Sequence, residues 1–251
     1  MTSLHDSKHA GRRHRTKVQH DTRRRRVTPL PSLAMNRILV ADDHPLFRAA
    51  LRQAAATAVP DAEVGVAADL EALLDALGAA PETDLVLLDL RMPGSRGLSG
   101  LAALRGQFPG VAVLVVSAHD EARVVKRVLD HGAAGFVPKS ADPDTIALAV
   151  RSVLDEGHWL PPALAREVAA LPARHDDTAL ASKLSRLTEQ QFRVLAMLSE
   201  GLLNKQIADR LSVQERTVKA HVTAIFEKLE VRNRTQAGVL LRTLDLSDTP
   251  L

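Results

Sequence analysis

From residue 37 onward the chain repeats one pattern: a short apolar run, then a longer segment whose apolar residues recur every three or four positions. The runs are RILVA (37–41), AEVGVAA (62–68), LVLLD (85–89), VAVLVVS (111–117) and GFVPK (135–139). Between them lie LFRAALRQAAATA, DLEALLDALGAA, GLSGLAALRGQF and DEARVVKRVLDHG, and a fifth helical segment, DPDTIALAVRSVLDEG, follows the last run. Near-continuous apolar strands belong to sheets buried on both faces, and strands that alternate with helices make such a sheet parallel. The pattern predicts a five-stranded parallel sheet covered by helices on both sides, over residues 36–156.

The pattern then changes. Residues 157–182 are rich in proline and small residues and read as a linker with one short helix, ALAREVAAL, inside it. From 183 to 248 only helical periods remain. A capping box opens this part: the Thr188 hydroxyl can accept from the amide of Gln191, that glutamine can reach back, and Leu187 can staple onto Phe192. The first helix sets Phe192, Leu195 and Leu198 on one face and stops at Gly201. The second, near Asn204 to Leu211, turns Ile207, Ala208 and Leu211 inward; the third, near Glu215 to Leu229, buries Val218, Val222, Ile225 and Leu229.

At 251 residues, 45% hydrophobic and 25% charged, the chain suits a globular protein of about two domains. It has no cysteine, which removes disulfides, thiol nucleophiles and cysteine-ligated metals. No apolar run approaches a membrane span and no signal-peptide pattern appears, so a cytoplasmic protein with no membrane partner is expected. Aromatics are only 2%, which argues against an aromatic-lined pocket for a large organic ligand.

Charge divides the chain further. Residues 1–35 hold nine basic and two acidic residues, 36–156 hold eleven and seventeen, and 183–234 hold ten and six. An acidic part joined to a basic part points to nucleic acid as the partner of the basic one. The first 35 residues, with Arg23 to Arg26 consecutive, have too little apolar content to offset their ordering entropy and are expected to be disordered. Two readings of them stay open: a nucleic-acid-binding arm, or sequence upstream of a natural start at Met35.

The chemistry concentrates at the strand ends. Asp42 and Asp43 follow the first run, Asp89 ends the third, Ser117 the fourth and Lys139 the fifth. In a parallel sheet these ends share one rim. An acid at the end of a run as apolar as LVLLD tolerates desolvation only where the strand opens into a polar crevice, although Asp-x-x-Pro-Gly is by itself ordinary turn chemistry. Three carboxylates at close range repel one another and become tolerable when a divalent cation joins them; Mg²⁺ suits oxygen ligands and leaves a position for a phosphoryl oxygen. The Ser117 hydroxyl and the Lys139 ammonium would complete a phosphoryl cradle, with Asp89 as the nucleophile that forms an acyl phosphate. Asp43 is also placed to cap the helix beginning near Pro45.

On RILVADDHPLFR, LLDLRMPG, the Ser-Ala after the fourth run and GFVPK, residues 36–156 resemble the receiver domain of two-component response regulators. The resemblance implies a flavodoxin-like α/β fold. It further implies Mg²⁺ held by Asp43, by Asp42 through water and by the main-chain carbonyl of Arg91, a switch pair of Ser117 and Phe136, and Lys139 as the phosphate-binding lysine. Arg96 departs from it, since the family usually places an acid or amide there.

In the basic part, Arg216, Lys219, Ala220 and Thr223 share the outer face of the third helix, as in a helix-turn-helix whose last helix enters the major groove. GLLNKQIADRL, TVKAHV and IFEKLEVRNRTQA are similar to the LuxR-type DNA-binding domain of NarL/FixJ regulators. That resemblance implies base contacts from Lys219, Ala220 and Thr223, and phosphate contacts from Asn204, Lys205, Thr217 and Lys228, with Arg232 or Arg234 besides. Gln214 stands where the family favours a serine cap, TEQQ replaces TPRE, and a residue as short as Thr223 makes direct readout sparse. His221 has no second ligand nearby and reads as a packing or phosphate-facing residue.

Together these resemblances imply a transcription regulator rather than an enzyme: an α/β receiver followed by an all-α helix-turn-helix domain, expected to be phosphorylated on Asp89 by a histidine kinase and to bind double-stranded DNA as a homodimer. An aspartyl phosphatase would need a general-acid Asp two residues after the nucleophile, where Arg91 stands. A regulator governed by a small ligand, or one that has lost phosphorylation, is disfavoured by the few aromatics and by the intact set of Asp42, Asp43, Asp89, Ser117 and Lys139.

Overall fold

A computed structural model describes residues 36–172 and 175–244. The basic segment 1–35 and the last residues of the 183–248 span lie outside the described residues, and so does the expectation of disorder attached to that segment. Strands β1 (Arg37–Ala41), β2 (Glu63–Ala67) and β3 (Leu85–Leu88) come first. A small hairpin of β4 (Arg91–Met92) and β5 (Ser95–Arg96) follows, and then β6 (Ala112–Ser117) and β7 (Gly135–Pro138). The receiver helices are α1 (Pro45–Ala58), α2 (Leu70–Ala79), α3 (Ser99–Gln107), α4 (Ala122–Asp130) and α5 (Pro143–Glu156).

The five longer strands pair in parallel in the order β2-β1-β3-β6-β7. Side chains alternate across a strand, so each apolar run feeds two cores. Leu39, Val86, Leu88, Val113 and Val115 face a core with α2, α3 and α4, whereas Ile38, Val40, Leu85, Leu87 and Val116 face one with α1 and α5. The chain leaves β1 first toward β2 and then returns to β3 on its other side. That reversal opens a crevice at the carboxyl ends of β1 and β3. Main-chain hydrogen bonds carry the pairing just past the strands: the amide of Asp89 donates to Ala41 O at 2.8 Å and that of Lys139 to Ser117 O at 2.8 Å. The residues that end the apolar runs are therefore held on one rim.

Helix α5 begins with a well-formed cap. One Asp142 carboxylate oxygen accepts from the Thr145 amide at 2.8 Å and the other from the Thr145 hydroxyl at 2.9 Å. Those two donors hold the Asp142 carboxyl below its ordinary range. A depressed folded-state value means that the stabilisation is fully present above the unfolded value and is lost as pH falls through the folded one. Thermal midpoints of the wild type and of Asp142→Ala are thus expected to differ at neutral pH and to converge in acid; a gap that persists below the carboxylate range would remove charge from the explanation.

Two helices, not one, connect the halves: α6 (Pro162–Ala169) and α7 (His175–Leu184). The second escapes the periodicity because its apolar anchors are sparse; Leu180 and Leu184 are buried in its C-terminal half. Four helices follow: α8 (Glu189–Ser199), α9 (Asn204–Arg210), α10 (Glu215–Leu229) and α11 (Arg234–Arg242). The capping box is present as read, with Gln191 N donating to the Thr188 hydroxyl at 3.3 Å and Thr188 N to Gln191 Oε1 at 3.1 Å. Leu187 and Phe192 are both buried.

The apolar cluster on the α2–α3–α4 side of the sheet continues without a break into α7, α8, α10 and α11. Polar contacts frame this joint. Arg193 on α8 pairs with Asp75 and Glu71 on α2, and with Glu189 on its own helix. Arg127 donates to Thr243 O, and the amide of Leu98 donates to Leu244 O at 3.0 Å. At Gly106 on α3 the absence of a side chain lets the backbone of Ser185 approach; a Cβ there would lie 2.6 Å from Ser185 Cα.

Candidate functional site

Asp42 follows β1 and is fully buried, and Asp89 follows β3 and is nearly so. The Lys139 ammonium, brought in by the end of β7, lies 2.7 Å from Asp42 Oδ2 and 2.7 Å from Asp89 Oδ2. It also sits 4.8 Å from the centre of the Phe47 ring, a cation–π contact that leaves its long stem little room to wander. Main-chain donors fix the remaining oxygens: His44 N to Asp42 Oδ1 at 2.8 Å, and Arg91 N to Asp89 Oδ1 at 3.3 Å. Arg48, one turn beyond His44, donates to the carbonyl of Asp42 at 2.6 Å.

Electrostatics follow from this packing. Burial pushes the Asp89 carboxyl up, the Lys139 ammonium pulls it back only in part, and the charge of Asp42 adds to the rise. Burial works against the charge on Lys139, but its hydrogen bonds to Asp42 and Asp89 outweigh that and hold it above its ordinary value. Two carboxyl groups thus share a single ammonium partner in a largely buried crevice.

Asp43 does not cap α1. The N-cap is His44, without a side-chain hydrogen bond, and Pro45 in the first turn has no amide that needs an acceptor. Asp43 Oδ1 instead lies 2.6 Å from His44 Nδ1. Ligand atoms of Asp42, Asp43, His44 and Asp89 all fall within 4.8 Å of one another. Hard oxygen donors at this spacing fit a divalent cation.

A cavity of about 630 Å³ opens onto Asp89, lined by His44, Phe47, Arg91, Ser117 and Lys139 among others. Ser117 is buried, and its hydroxyl accepts from His119 N at 3.2 Å; Phe136 is fully buried in the sheet beside it. The structure thus gathers Asp42, Asp43, Asp89, Ser117 and Lys139 at one rim, with the Arg91 backbone against Asp89. Phe47 and Arg48 were not singled out from the sequence. Their signal was position alone, on the first turn of a helix whose start the acids precede.

In the C-terminal part, Arg216, Lys219, Ala220 and Thr223 form an exposed face on α10, while Val218, Ile225 and Leu229 are buried behind it. Val222 and Leu211 are partly buried. Lys205 is exposed, and Asn204 and Thr217 are partly so. Lys228 turns inward, with its ammonium donating to Arg186 O at 2.8 Å and Gln191 Oε1 at 2.7 Å. Arg234 likewise donates to the carbonyls of Leu198 and Leu202. Arg232 remains on the surface.

Comparison with known proteins places both halves. Residues 38–151 match the response regulator receiver domain, and residues 185–241 match the bacterial regulatory proteins of the luxR family. The glycerol metabolism activator of Pseudomonas putida is 41% identical over 216 residues, covering 85% of this chain and 98% of its own. The chain belongs to the response regulators with a LuxR-type DNA-binding domain. A second relative of this regulator, the nitrate/nitrite response regulator protein NarP of Escherichia coli, is 33% identical over 84% of this chain and 96% of its own. Among solved structures, RcsB of Salmonella typhimurium shares the fold, with a TM-score of 0.50 at 22% identity over 83% of this chain and 98% of that one.

In this regulator, Gln214 is the N-cap of α10 and makes no side-chain cap hydrogen bond, as its departure from serine predicts. The receiver's acidic pocket is suited to a metal, and the regulator is a DNA-binding transcription factor rather than an enzyme. No helix among the described residues is long and apolar enough to cross a membrane.

Proposed function

We propose that Asp89 is the phosphoacceptor of this regulator, that a histidine kinase is the donor, and that phosphorylation changes how the chain engages DNA. One observation carries the reading: Asp89 stands at a cavity of about 630 Å³, paired to Lys139 at 2.7 Å, on a chain whose α10 presents an exposed basic face. Asp89 attacks phosphorus in line, the bond to the kinase histidine breaks, and the phosphoryl group remains on the carboxylate. Lys139 is already in place to hold a phosphoryl oxygen, and the Ser117 hydroxyl can donate to another. Asp42, Asp43 and the Arg91 carbonyl would hold Mg²⁺, whose charge offsets that of the phosphoryl oxygens.

Once Lys139 and Ser117 are drawn to the phosphoryl group, the receiver favours a surface that releases or pairs the DNA-binding domains, a shift of populations between docked and undocked states. Lys219, Ala220 and Thr223 read base edges, and Asn204, Lys205 and Thr217 meet phosphates, with Lys228 joining them on leaving its internal partners. Two copies on paired half-sites gain effective concentration, so the active form is a homodimer on DNA. Such a protein works in the cytoplasm, where kinase and chromosome meet.

The test is selection of bound sequences from a random duplex library with acetyl-phosphate-treated and untreated protein, followed by affinity and mass measurements on the enriched site. Tighter binding and a larger complex after treatment are expected. Equal affinity and equal stoichiometry in both states would sink the reading. Lys219→Ala should weaken the enriched site by about 1 to 3 kcal/mol while leaving binding to unrelated duplex much less affected.

A further inference from the structure

The donor set at the rim holds one member that the phosphoryl chemistry does not use. His44 is 69% exposed, and its Nδ1 lies 2.6 Å from Asp43 Oδ1 and 3.6 Å from Asp42 Oδ1. Its main chain is pinned by the hydrogen bond from its amide to Asp42 Oδ1 at 2.8 Å and by its place at the start of α1. The imidazole is therefore held beside the carboxylates and lines the same cavity as Asp89. We infer that His44 is a nitrogen ligand to the cation held by Asp42, Asp43 and Asp89, and that it makes this site favour first-row transition dications over Mg²⁺. This rests on the reading that the three carboxylates bind a divalent cation.

The physical case is one of spacing and softness. Metal bonds of about 2.1 Å place neighbouring donors of an octahedral ion about 3.0 Å apart and opposite donors about 4.2 Å apart. The 2.6 Å, 3.6 Å and overall 4.8 Å separations here bracket those spacings, so small side-chain rotations meet them. Three carboxylates alone suit Mg²⁺. A neutral imidazole adds little for so hard an ion but much for Mn²⁺, Co²⁺ or Ni²⁺, in rising order. A receiver built in this way would take its metal according to what the cell supplies, and transition ions would compete where Mg²⁺ is in modest excess.

The full chain and His44→Gln are titrated with Mg²⁺ and with Ni²⁺ at one fixed pH above the ordinary histidine range, and their Mn²⁺ forms are examined by electron spin-echo spectroscopy for a coordinated imidazole nitrogen. In His44→Gln the Ni²⁺ affinity should fall by about tenfold or more, and the Mg²⁺ affinity should stay within about twofold. The nitrogen signal should appear in the unmutated chain, survive His119→Gln and vanish in His44→Gln. An unchanged ratio of Ni²⁺ to Mg²⁺ affinity, or a nitrogen signal that outlasts His44→Gln, overturns the inference and leaves the carboxylate site intact. Absence of Mg²⁺ binding by the unmutated chain would overturn the cation reading and the inference with it. Where the His44 variant fails to fold, the spin-echo signal of His119→Gln decides the matter: a nitrogen signal lost in that variant overturns the inference, and one retained there supports it.

Discussion

Asp89→Asn is expected to abolish phosphoryl uptake: incubated with Mg²⁺ and acetyl phosphate, the wild type gains one phosphoryl group by intact mass and the variant gains none. The change keeps the shape of the side chain and removes its nucleophile, because a neutral amide presents no charged oxygen to phosphorus. Nothing else on the rim replaces it. Asp42 is fully buried with one oxygen against Lys139, and Asp43 is turned toward His44. Phosphorylation of the variant to the same extent would place the acceptor elsewhere. In metal-free buffer the substitution should also raise stability at neutral pH. Asp89 has a carboxyl value raised by burial, so its ionised form opposes folding above that value and ceases to do so as pH falls through the carboxylate range. The advantage of the variant should therefore vanish in acid. With Mg²⁺ present it should shrink, because the carboxylate then has a partner.

The second large effect is expected at Gly106, where two principles oppose each other. On helix propensity alone, alanine at this position, one residue before the end of α3, should stabilise by less than the roughly 1 kcal/mol of a helix interior. A Cβ at this position would, however, lie 2.6 Å from Ser185 Cα and 2.9 Å from its carbonyl oxygen, and main-chain atoms cannot rotate aside. Overpacking of this kind costs about 1 to 3 kcal/mol. All of it falls on the joint between the receiver and the DNA-binding helices, so the ratio of docked to undocked forms should drop by about 5- to 150-fold. Hydrogen exchange would read this as lost protection in α7 and α8 alongside unchanged protection in β1, β3 and β6. Uniform loss across the sheet would mean instead that the receiver itself had been damaged. Arg193→Ala makes a useful contrast: its partners Asp75 and Glu71 are mostly exposed, and each such ion pair is worth about 1 kcal/mol or less.

Most of the sheet was legible because five apolar runs can alternate across a strand only if both faces are covered, and the rim followed from strand direction. Asp42, Asp89, Ser117 and Lys139 meet for that reason, although they are scattered over nearly a hundred positions. Local chemistry was legible too, as in the Thr188–Gln191 box. The hairpin β4–β5 was not, since two residues per strand carry no period. Helix α7 was missed for lack of apolar anchors. The role expected of Asp43 as a cap failed because Pro45 opens α1 as its first residue, which makes His44 the N-cap and leaves Asp43 one residue outside the helix start. The inward turn of Lys228 and the pairing of Arg193 with α2 depend on which helices come to lie side by side. A long basic side chain reads the same in sequence whether it faces DNA, solvent or a neighbouring acid.

The exposed face of α10 has a consequence for how a signal is received. In the docked arrangement the receiver lies against α7 and α8, and Arg216, Lys219, Ala220 and Thr223 stay open to solvent. On the proposed reading of α10, contacts to phosphate need neither a partner copy nor a favoured sequence, so the resting chain should already hold a weak, salt-sensitive grip on any duplex. It would spend its idle time drifting along the chromosome instead of waiting in bulk solution. If Asp89 is the acceptor and the active form is a pair, arrival of a phosphoryl group would call for no search from afar: two neighbours already sharing the same track would have only to meet, and response time would depend on local crowding along DNA more than on the concentration of the protein in the cell.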